Sequence, residues 1–446
     1  MKAIGIDIGT TTICSVLIDA DSGTLLDAKT LSNDSTITEN EGEWEHKQSP
    51  EKIAEKCTKL AEGYLNQYED IESIGLTGQM HGIVYVDALG NAVSPLYTWR
   101  DGRGTLPIGT NKGSMNYAEE LTEKTGYPMA SGFGLTTHYY QLKNGKVPKT
   151  AVSICTIADY VGMVFTGKSR PIIHQSMAAS MGAFDLEKAC FDIDAIGKAG
   201  IDPKILPNVT KNNEKSGTWK KTAVKNRDII VSVALGDNQA SFLGSVGWRE
   251  GLLVNVGTGS QISSYSKRIV KDDCLESRPY LEDSWLVAGS PLCGGYSYSL
   301  MKRFVDEIFE MSEVRCEKSV YEMLNESAKR AYDQKSQLEI DTRFNGSRKE
   351  PYLTGSICGL TPDSFHVGQF ALGILKGICK ELYQYYERFP EQLKTGTTMV
   401  GSGNGIRRNP LLQQIFCERF DKDIEIAPYE EEAGYGAARF SLLIRS

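Results

Sequence analysis

Apolar residues alternate with small or acidic ones from the start of the chain. Ile4, Ile6 and Ile8 are interleaved with Gly5 and Asp7, a period of two that predicts a strand. Gly9 and the run Thr10 to Thr12 predict a turn, and Ile13 to Asp19 a second strand. Asp21-Ser22-Gly23 predicts another turn, and Thr24 to Thr30 a third strand. Together these form an antiparallel meander. The period then changes. Ser49 stands where an N-cap would stand, with Pro50 at the first helical position. Ile53, Cys57, Leu60 and Tyr64 follow at helical spacing on one face.

Ile71 to Thr77 predicts a strand ending in Gly78-Gln79-Met80-His81-Gly82, and Ile83 to Asp87 another. Asn91 to Thr98 leads into Trp99-Arg100-Asp101-Gly102-Arg103. From Gly104 to Pro148 the periodicity weakens, with one helix predicted near Tyr117 to Lys124. Asp228 to Gly236 is apolar and β-branched, a strand with Asp237-Asn238 at its end and a small-residue helix over Gln239 to Gly244. Leu252 to Ser260 then repeats the opening pattern. Asp7 corresponds to Asn255, Gly9 to Gly257 and Thr10 to Thr258. This faint internal duplication predicts two related domains, 1–246 and 247–446. The second half is richer in helices. Tyr298, Met301, Val305 and Ile308 form one stripe, Val367 to Phe389 a long helix, and Glu431 to Ile444 the last one. Thr397 to Val400 predicts a short strand running into Gly401-Ser402-Gly403-Asn404-Gly405, before a helix opened by Asn409-Pro410.

Composition narrows the class. The chain has 446 residues, 40% hydrophobic and 24% charged, an ordinary globular balance with room for two or three domains. Its apolar runs are strand-sized, far below a membrane span, and the N-terminus reads as a strand rather than a signal peptide, which points to the cytoplasm. A net charge of −8 disfavours nucleic acid or an anionic membrane as partner. The ten cysteines include no C-x-x-C pair, so zinc and thioredoxin-like readings have no support.

Three glycine-rich turns carry candidate chemistry. Gly9-Thr10-Thr11-Thr12 and Gly257-Thr258-Gly259 offer backbone N–H groups and hydroxyls to phosphate oxygens. Asp7 beside the first could hold Mg²⁺ through its water shell. A threonine-rich hairpin chosen for β-propensity is the plainer alternative. Gly401, Gly403, Asn404 and Asn409 surround a third turn suited to a flat base, or to an ordinary strand-to-helix loop. Walker A and protein-kinase motifs are absent from the sequence. Asp237 is either a helix cap or a general base. Gln79, Met80, His81, Trp99, Arg100, Asp101 and Arg103 suit a polyhydroxylated ligand, although a structural His81, Trp99 in a core and Arg100 with Asp101 as a surface pair remain open readings. Trp44 and Glu45 could anchor a loop or wall a cleft.

These motifs, taken in order along essentially the whole chain, resemble the FGGY carbohydrate kinases, within the larger superfamily of hexokinase, actin and the heat-shock ATPase chaperones. The likeness rests on Gly5 to Thr11, Gly78 to Gly82, Trp99 to Arg103, Gly236 to Ala240, Asn255 to Gly259 and Gly401 to Asn409. Within that family, Ser131 to Gly134, Val233 to Ser241 and Trp99 to Arg103 are most similar to sedoheptulokinases; Met80-His81 and Trp99 to Arg103 are also similar to xylulokinases. The resemblance implies an α/β fold of two ribonuclease-H-like domains around a cleft, with the sugar site and base in 1–246 and the nucleotide site in 247–446. It implies Asp237 as base and Asp7 in the metal shell. Thr10, Thr11, Thr12, Gly257 and Thr258 would meet phosphates, Gly403, Asn404 and Asn409 would lie by the adenosine, and Met80, His81, Trp99 and Asp101 by the sugar. ATP, Mg²⁺ and a ketose are the implied ligands, sedoheptulose first and xylulose second, with a homodimer left open. Arg100 departs from relatives that carry Asn or Gln there. An actin- or chaperone-like ATPase is the competing class.

Overall fold

The structure is a computed structural model. It describes residues 1–39, 42–109, 115–221, 227–247, 250–313, 316–334, 336–347, 349–350, 352–394 and 398–445. The chain divides into two compact units. One comprises Met1–Gly247 with Arg278–Ser284 and Glu431–Ser446; the other comprises Trp248–Ser277 and Trp285–Glu430.

The first unit is built on the predicted meander. Lys2–Ile8, Thr12–Asp19 and Leu25–Ser32 are successive antiparallel strands, registered Lys2 on Asp19 and Ile8 on Ile13. On its other side Lys2–Ile8 runs parallel to Ile71–Gly78, with Asp7 beside Thr77. Ile230–Ser232 and Lys215–Thr218 extend the sheet, and Leu235–Gly236 also joins Ile71–Gly78. Ile4, Ile6 and Ile8 are fully buried. Against the sheet lies Pro50–Leu65, with Ile53, Cys57, Leu60 and Tyr64 all turned inward and the Ser49 hydroxyl capping Lys52 N–H at 3.2 Å. The opposite face is covered by the C-terminal helix Glu432–Leu442, whose Gly434, Ala437 and Ala438 lie over Gly5 and Gly75. The same helix grips Asp237–Ser245. A Cβ on Gly436 would stand 1.9 Å from the Ala240 carbonyl, so the two helices touch backbone to backbone. Asp237 is thereby fixed at the start of its helix.

The second unit repeats the plan. Gly251–Val256 is the central strand, antiparallel to Ser260–Ser266, which pairs antiparallel with Trp285–Gly289. Its other neighbour is the parallel strand Thr398–Ser402, followed by Ile424–Ile426. Thr397, the predicted first residue of that strand, lies outside the described residues. The helices Gly295–Met311, Val320–Ala331, Val367–Glu387 and Pro410–Phe420 pack a separate core around Leu252, Val254, Leu375 and Phe416. The unit architecture is thus the expected mixed α/β one, a sheet with helices in each half.

Three local expectations change. Gly104 to Pro148 contains a second helix, Gly134–Lys143, in addition to Tyr117–Thr125. Residues Gly134 to Gln141 are all buried, so no polar face marks the helical period. The strand predicted over Asp228 to Gly236 is two short ones, and Val233 N–H between them bonds the Glu214 carbonyl. In the stripe on Gly295–Met311 only Tyr298 and Met301 are buried, while Ile308 is 45% exposed. Among the described residues no helix is long and apolar enough to cross a membrane, and all ten cysteines are free thiols.

Candidate active site

Two carboxylates stand at the end of the first unit's sheet. Asp7 lies in the central strand, and among the described residues no group donates a hydrogen bond to its carboxylate. Burial pushes it up to about 7, assisted by the negative charges of Asp237 and Glu431. Asp237 opens its helix, where the N-terminal dipole favours an anion. Its Oδ1 accepts from the Asn238 backbone N–H at 2.5 Å and from Asn238 Nδ2 at 2.8 Å. Burial raises Asp237 to about 6, and the Asn238 N–H together with the Arg278 charge keep it from rising further. Its second oxygen carries no protein donor among the described residues, so a proton acceptor of near-neutral pKa is available. Asp237 caps no N–H further along its helix, which separates it from the cap reading. The strap Arg278–Ser284 is stitched to this unit by Gln239 Nε2 on the Pro279 carbonyl at 2.8 Å and Gln175 Nε2 on the Glu282 carbonyl at 2.6 Å.

The first glycine turn is braced from below. Asn33 Nδ2 donates to the Gly9 carbonyl at 2.8 Å, the Asn33 N–H to the Thr11 carbonyl at 2.8 Å, and Gln48 Nε2 to the Thr10 carbonyl at 2.9 Å. With those carbonyls turned inward, Thr11 and Thr12 are left exposed. Gln48 Oε1 in turn accepts from Gln79 Nε2 at 2.9 Å, leaving buried Gln79 Oε1 with no donor among the described residues. Such an acceptor calls for a water or a substrate hydroxyl. Trp99 is 49% exposed and its indole N–H donates to Thr10 Oγ1 at 3.0 Å, so it is not a core residue.

Met80 packs beside Asn238, its sulfur 3.9 Å from Asn238 Nδ2. His81 adopts φ 73°, a left-handed conformation uncommon for a side-chain-bearing residue. Its ring stacks on Phe133 at 4.9 Å, and Nδ1 lies 2.7 Å from the Ser180 carbonyl, an acceptor that places the proton on Nδ1. Asp101 has a different situation from an open sugar ligand. It is buried and already accepts from Arg103 N–H at 3.2 Å, Nε at 2.6 Å and Nη2 at 3.0 Å, and from the His46 N–H at 3.1 Å. Its partner is therefore Arg103, not Arg100, which is exposed. Buried Arg103 also reaches Glu45 at 3.6 Å and lies over Tyr97 at 4.1 Å, Tyr140 at 5.4 Å and Trp44 at 5.5 Å. Trp44 and Glu45 thus anchor the loop that carries Trp99.

In the second unit a cavity of about 830 Å³ opens beside the repeated turn. Gly257, Thr258, Gly403 and Asn404 line one part of it. Gly403 has φ 81°, and a Cβ there would stand 2.7 Å from the Val256 carbonyl. Gly295 and Tyr296, at the start of Gly295–Met311, donate their N–H groups to the Gly257 and Thr258 carbonyls at 2.9 Å each. Gly259 and Gly401 do not line the cavity. Gly259 closes the hairpin by accepting from Gly257 N–H at 2.9 Å, and Gly401 lies within its strand under Ile424. Asn409 caps Pro410–Phe420 through Leu412 N–H at 3.1 Å.

Sequence reasoning did not single out Gln48, Asn33, Tyr298 as a polar group, Tyr321 or Asn325. Tyr298 and Tyr321 face one another in the cavity wall, rings 6.0 Å apart and 20° from parallel. A tyrosine within a helical apolar stripe gives no signal that its hydroxyl is used, and lone Asn and Gln residues far apart in the chain give none either.

Residues 2–244 match the N-terminal domain of the FGGY family of carbohydrate kinases, and residues 252–443 its C-terminal domain. The sedoheptulokinase of Mus musculus is 25% identical, covering 98% of this chain and 96% of its own. The xylulose kinase of Staphylococcus xylosus is 24% identical over 99% of this chain and 90% of its own. The crystal structure of xylulose kinase from Rhodospirillum rubrum superposes with a TM-score of 0.82 at 18% identity, covering 99% of this chain and 89% of that one. The fold is accordingly the two-domain actin and hexokinase type, and the chain belongs to the FGGY family of carbohydrate kinases.

Proposed function

We propose that this ATP-dependent carbohydrate kinase phosphorylates the primary hydroxyl of a ketose, with sedoheptulose as the preferred substrate and sedoheptulose 7-phosphate as the product. The observation that carries the mechanism is Asp237: a carboxylate raised to about 6, with one oxygen held by Asn238 and the other free of protein donors among the described residues. It takes the hydroxyl proton as that oxygen attacks the γ-phosphate in line, a step that asks the protein mainly for position and charge stabilisation. Residues 1–246 would hold the sugar and the base, and 247–446 the nucleotide. Gln79 Oε1 accepts a sugar hydroxyl, the Trp99 face packs on its C–H surface, and His81 completes the wall. Asp101 acts from behind, holding the Trp99 loop through Arg103. Thr10, Thr11 and Thr12 donate to the transferred phosphate and Thr258 to the far phosphates, beside Gly257, whose own N–H is taken by the Gly259 carbonyl, and the Gly403–Asn404 turn lies by the adenosine.

Mg²⁺ fits at Asp7. That carboxylate has no competing donor among the described residues, and its repulsion with Asp237 and Glu431 favours a cation beside it. Among the described residues no three of His, Cys, Asp or Glu stand close enough to ligate a metal directly, so the ion would be held largely through water. When bound, Mg²⁺ would supply neutralisation of phosphate charge. A cytoplasmic setting fits ten free thiols.

The choice of sedoheptulose is supported by the full-length likeness to the mouse enzyme at 25% identity. Ranking kcat/KM over xylulose, fructose, sedoheptulose and gluconate tests it. Sedoheptulose should lead by about tenfold or more, the scale of discrimination that one or two additional hydroxyl contacts supply. Xylulose or gluconate in first place would replace the substrate while leaving the kinase reading intact. ADP release indifferent to every sugar would refute that reading as well.

A further inference from the structure

We propose that Asn325 and Tyr298 read the six-position edge of the nucleotide's purine and set a preference for adenine over 6-oxopurines. The inference rests on reading the second unit's cavity as the nucleotide site. The polarity of one group is fixed by its chemistry. A backbone N–H can only donate, and Leu412 N–H ends on the Asn409 side chain at 3.1 Å, so the atom it meets is Oδ1. Asn409 Nδ2 must then be the amide end that reaches Asn325 at 3.0 Å, and the atom it reaches must be an acceptor, Asn325 Oδ1. The Tyr298 hydroxyl lies 2.8 Å from the same oxygen and donates to it as well. One helix-capping N–H therefore orients three side chains in sequence.

What remains unpaired follows directly. Asn325 Nδ2 has no protein acceptor among the described residues and is not among the buried orphaned atoms; Asn325 and Tyr298 both line the cavity. The hydrogen of Tyr298 is committed to Asn325, so its phenolic oxygen presents a lone pair. The cavity thus offers a donor beside an acceptor. Adenine offers the complement, a ring nitrogen that accepts beside an amino group that donates. Hypoxanthine and guanine put a carbonyl oxygen where the amino group stands, and it would face the Tyr298 lone pair. Turning the phenolic hydrogen toward that carbonyl would strip a donor from Asn325. Mismatching one such polar group changes selectivity about 10- to 100-fold.

Calorimetric titration of the sugar-free enzyme with ADP and with inosine diphosphate tests this without any commitment to the sugar. Wild type should bind ADP about 10- to 100-fold more tightly. Asn325→Asp replaces the donor by an acceptor and should bring the ratio within about threefold of unity, well under one tenfold step. Tyr298→Phe keeps the ring and loses the oxygen. It should weaken ADP while leaving the diphosphate of unsubstituted purine riboside unchanged. A merely structural role would weaken all three ligands together. Equal affinity of wild type for ADP and inosine diphosphate, or parallel losses in the variants, would overturn the proposal while the kinase reading stands. Absence of ADP binding in wild type would instead refute the nucleotide site on which it rests. Should Asn325→Asp fail to fold, the wild-type ratio and Tyr298→Phe decide.

Discussion

Replacing Asp237 by Asn preserves its shape, its place at the helix start and its bond with Asn238, and removes only the ability to take a proton. The group has a folded pKa of about 6 because burial raises it while Asn238 and Arg278 restrain it. Wild-type kcat should therefore fall as pH drops through about 6, by roughly tenfold for each pH unit below it, because the protonated acid cannot act as base. A positioned base contributes about 10²–10⁴ in rate, so kcat of Asp237→Asn should fall by that factor, equivalent to about 3–5 kcal/mol of barrier. ADP release at saturating ketose, followed from pH 5 to 9, measures both effects. The variant should lose the acid limb along with the rate. Nucleotide affinity should be unchanged, because the cavity is lined entirely by residues of the second unit. A kcat within tenfold of wild type, or an acid limb near 6 that survives the substitution, would refute the assignment of the base.

Three further outcomes test the surrounding site. Trp99→Ala should raise the ketose KM about 10- to 100-fold, as loss of an aromatic anchor does, and the ATP KM far less; Trp99→Phe, which loses only the bond to Thr10, should recover most of the sugar KM, and equal changes in both KM values would make Trp99 structural. Arg103→Met leaves Asp101 buried without its cation and should cost about 3–5 kcal/mol in denaturant unfolding, with Arg103→Lys recovering part; a loss under 1 kcal/mol would mean the pair is not sustained. Asp7, pushed up to about 7, holds its proton more tightly folded than unfolded, so the native state binds the extra proton between about pH 4 and 7 and stability falls as pH rises through that window. Asp7→Asn should raise Tm at pH 8 in metal-free buffer and leave it unchanged near pH 4, and a lower Tm at pH 8 would contradict the uncompensated charge.

What could be read from the chain alone follows the physics of each segment. Lys2 to Asp19 announces itself because one strand face is fully apolar and the turn between is glycine and threonine. Pro50–Leu65 does so because it has a wet side, a serine cap and an N1 proline together. Gly134–Lys143 does not, since its residues from Gly134 to Gln141 are all buried and offer no period. The turns were legible as turns because glycine spacing is local. The relays behind them were not. Gln48 orients Gln79, and Asn33 braces Gly9, across separations in sequence that no periodicity encodes. Asp101 shows the opposite error. Its place in a motif suggests exposure to a ligand, whereas two residues onward Arg103 turns back and takes both carboxylate oxygens.

The repeated sheet plan also explains why its two halves differ in charge at one matching place. Asp7 sits between Cys14 and Thr77 in the first sheet; Asn255 sits between Gln261 and Ser402 in the second. Each is the residue two before the glycine that opens a turn. Asn255 is neutral and tied off, its Nδ2 donating to Ser402 Oγ at 2.7 Å, whereas Asp7 is an ionisable carboxyl, pushed up to about 7 by burial, with no donor among the described residues. A carboxylate at 255 would line the cavity read as the nucleotide site, where a unit charge about 4 Å from a phosphate repels by about 4 kcal/mol at a near-surface dielectric. On the proposed reading, the negative charge is useful only where a cation can sit beside it. An amide fixed by a serine hydroxyl keeps the same strand position polar without opposing the triphosphate proposed to bind there, so the duplicated scaffold would serve two chemistries by changing one side-chain atom.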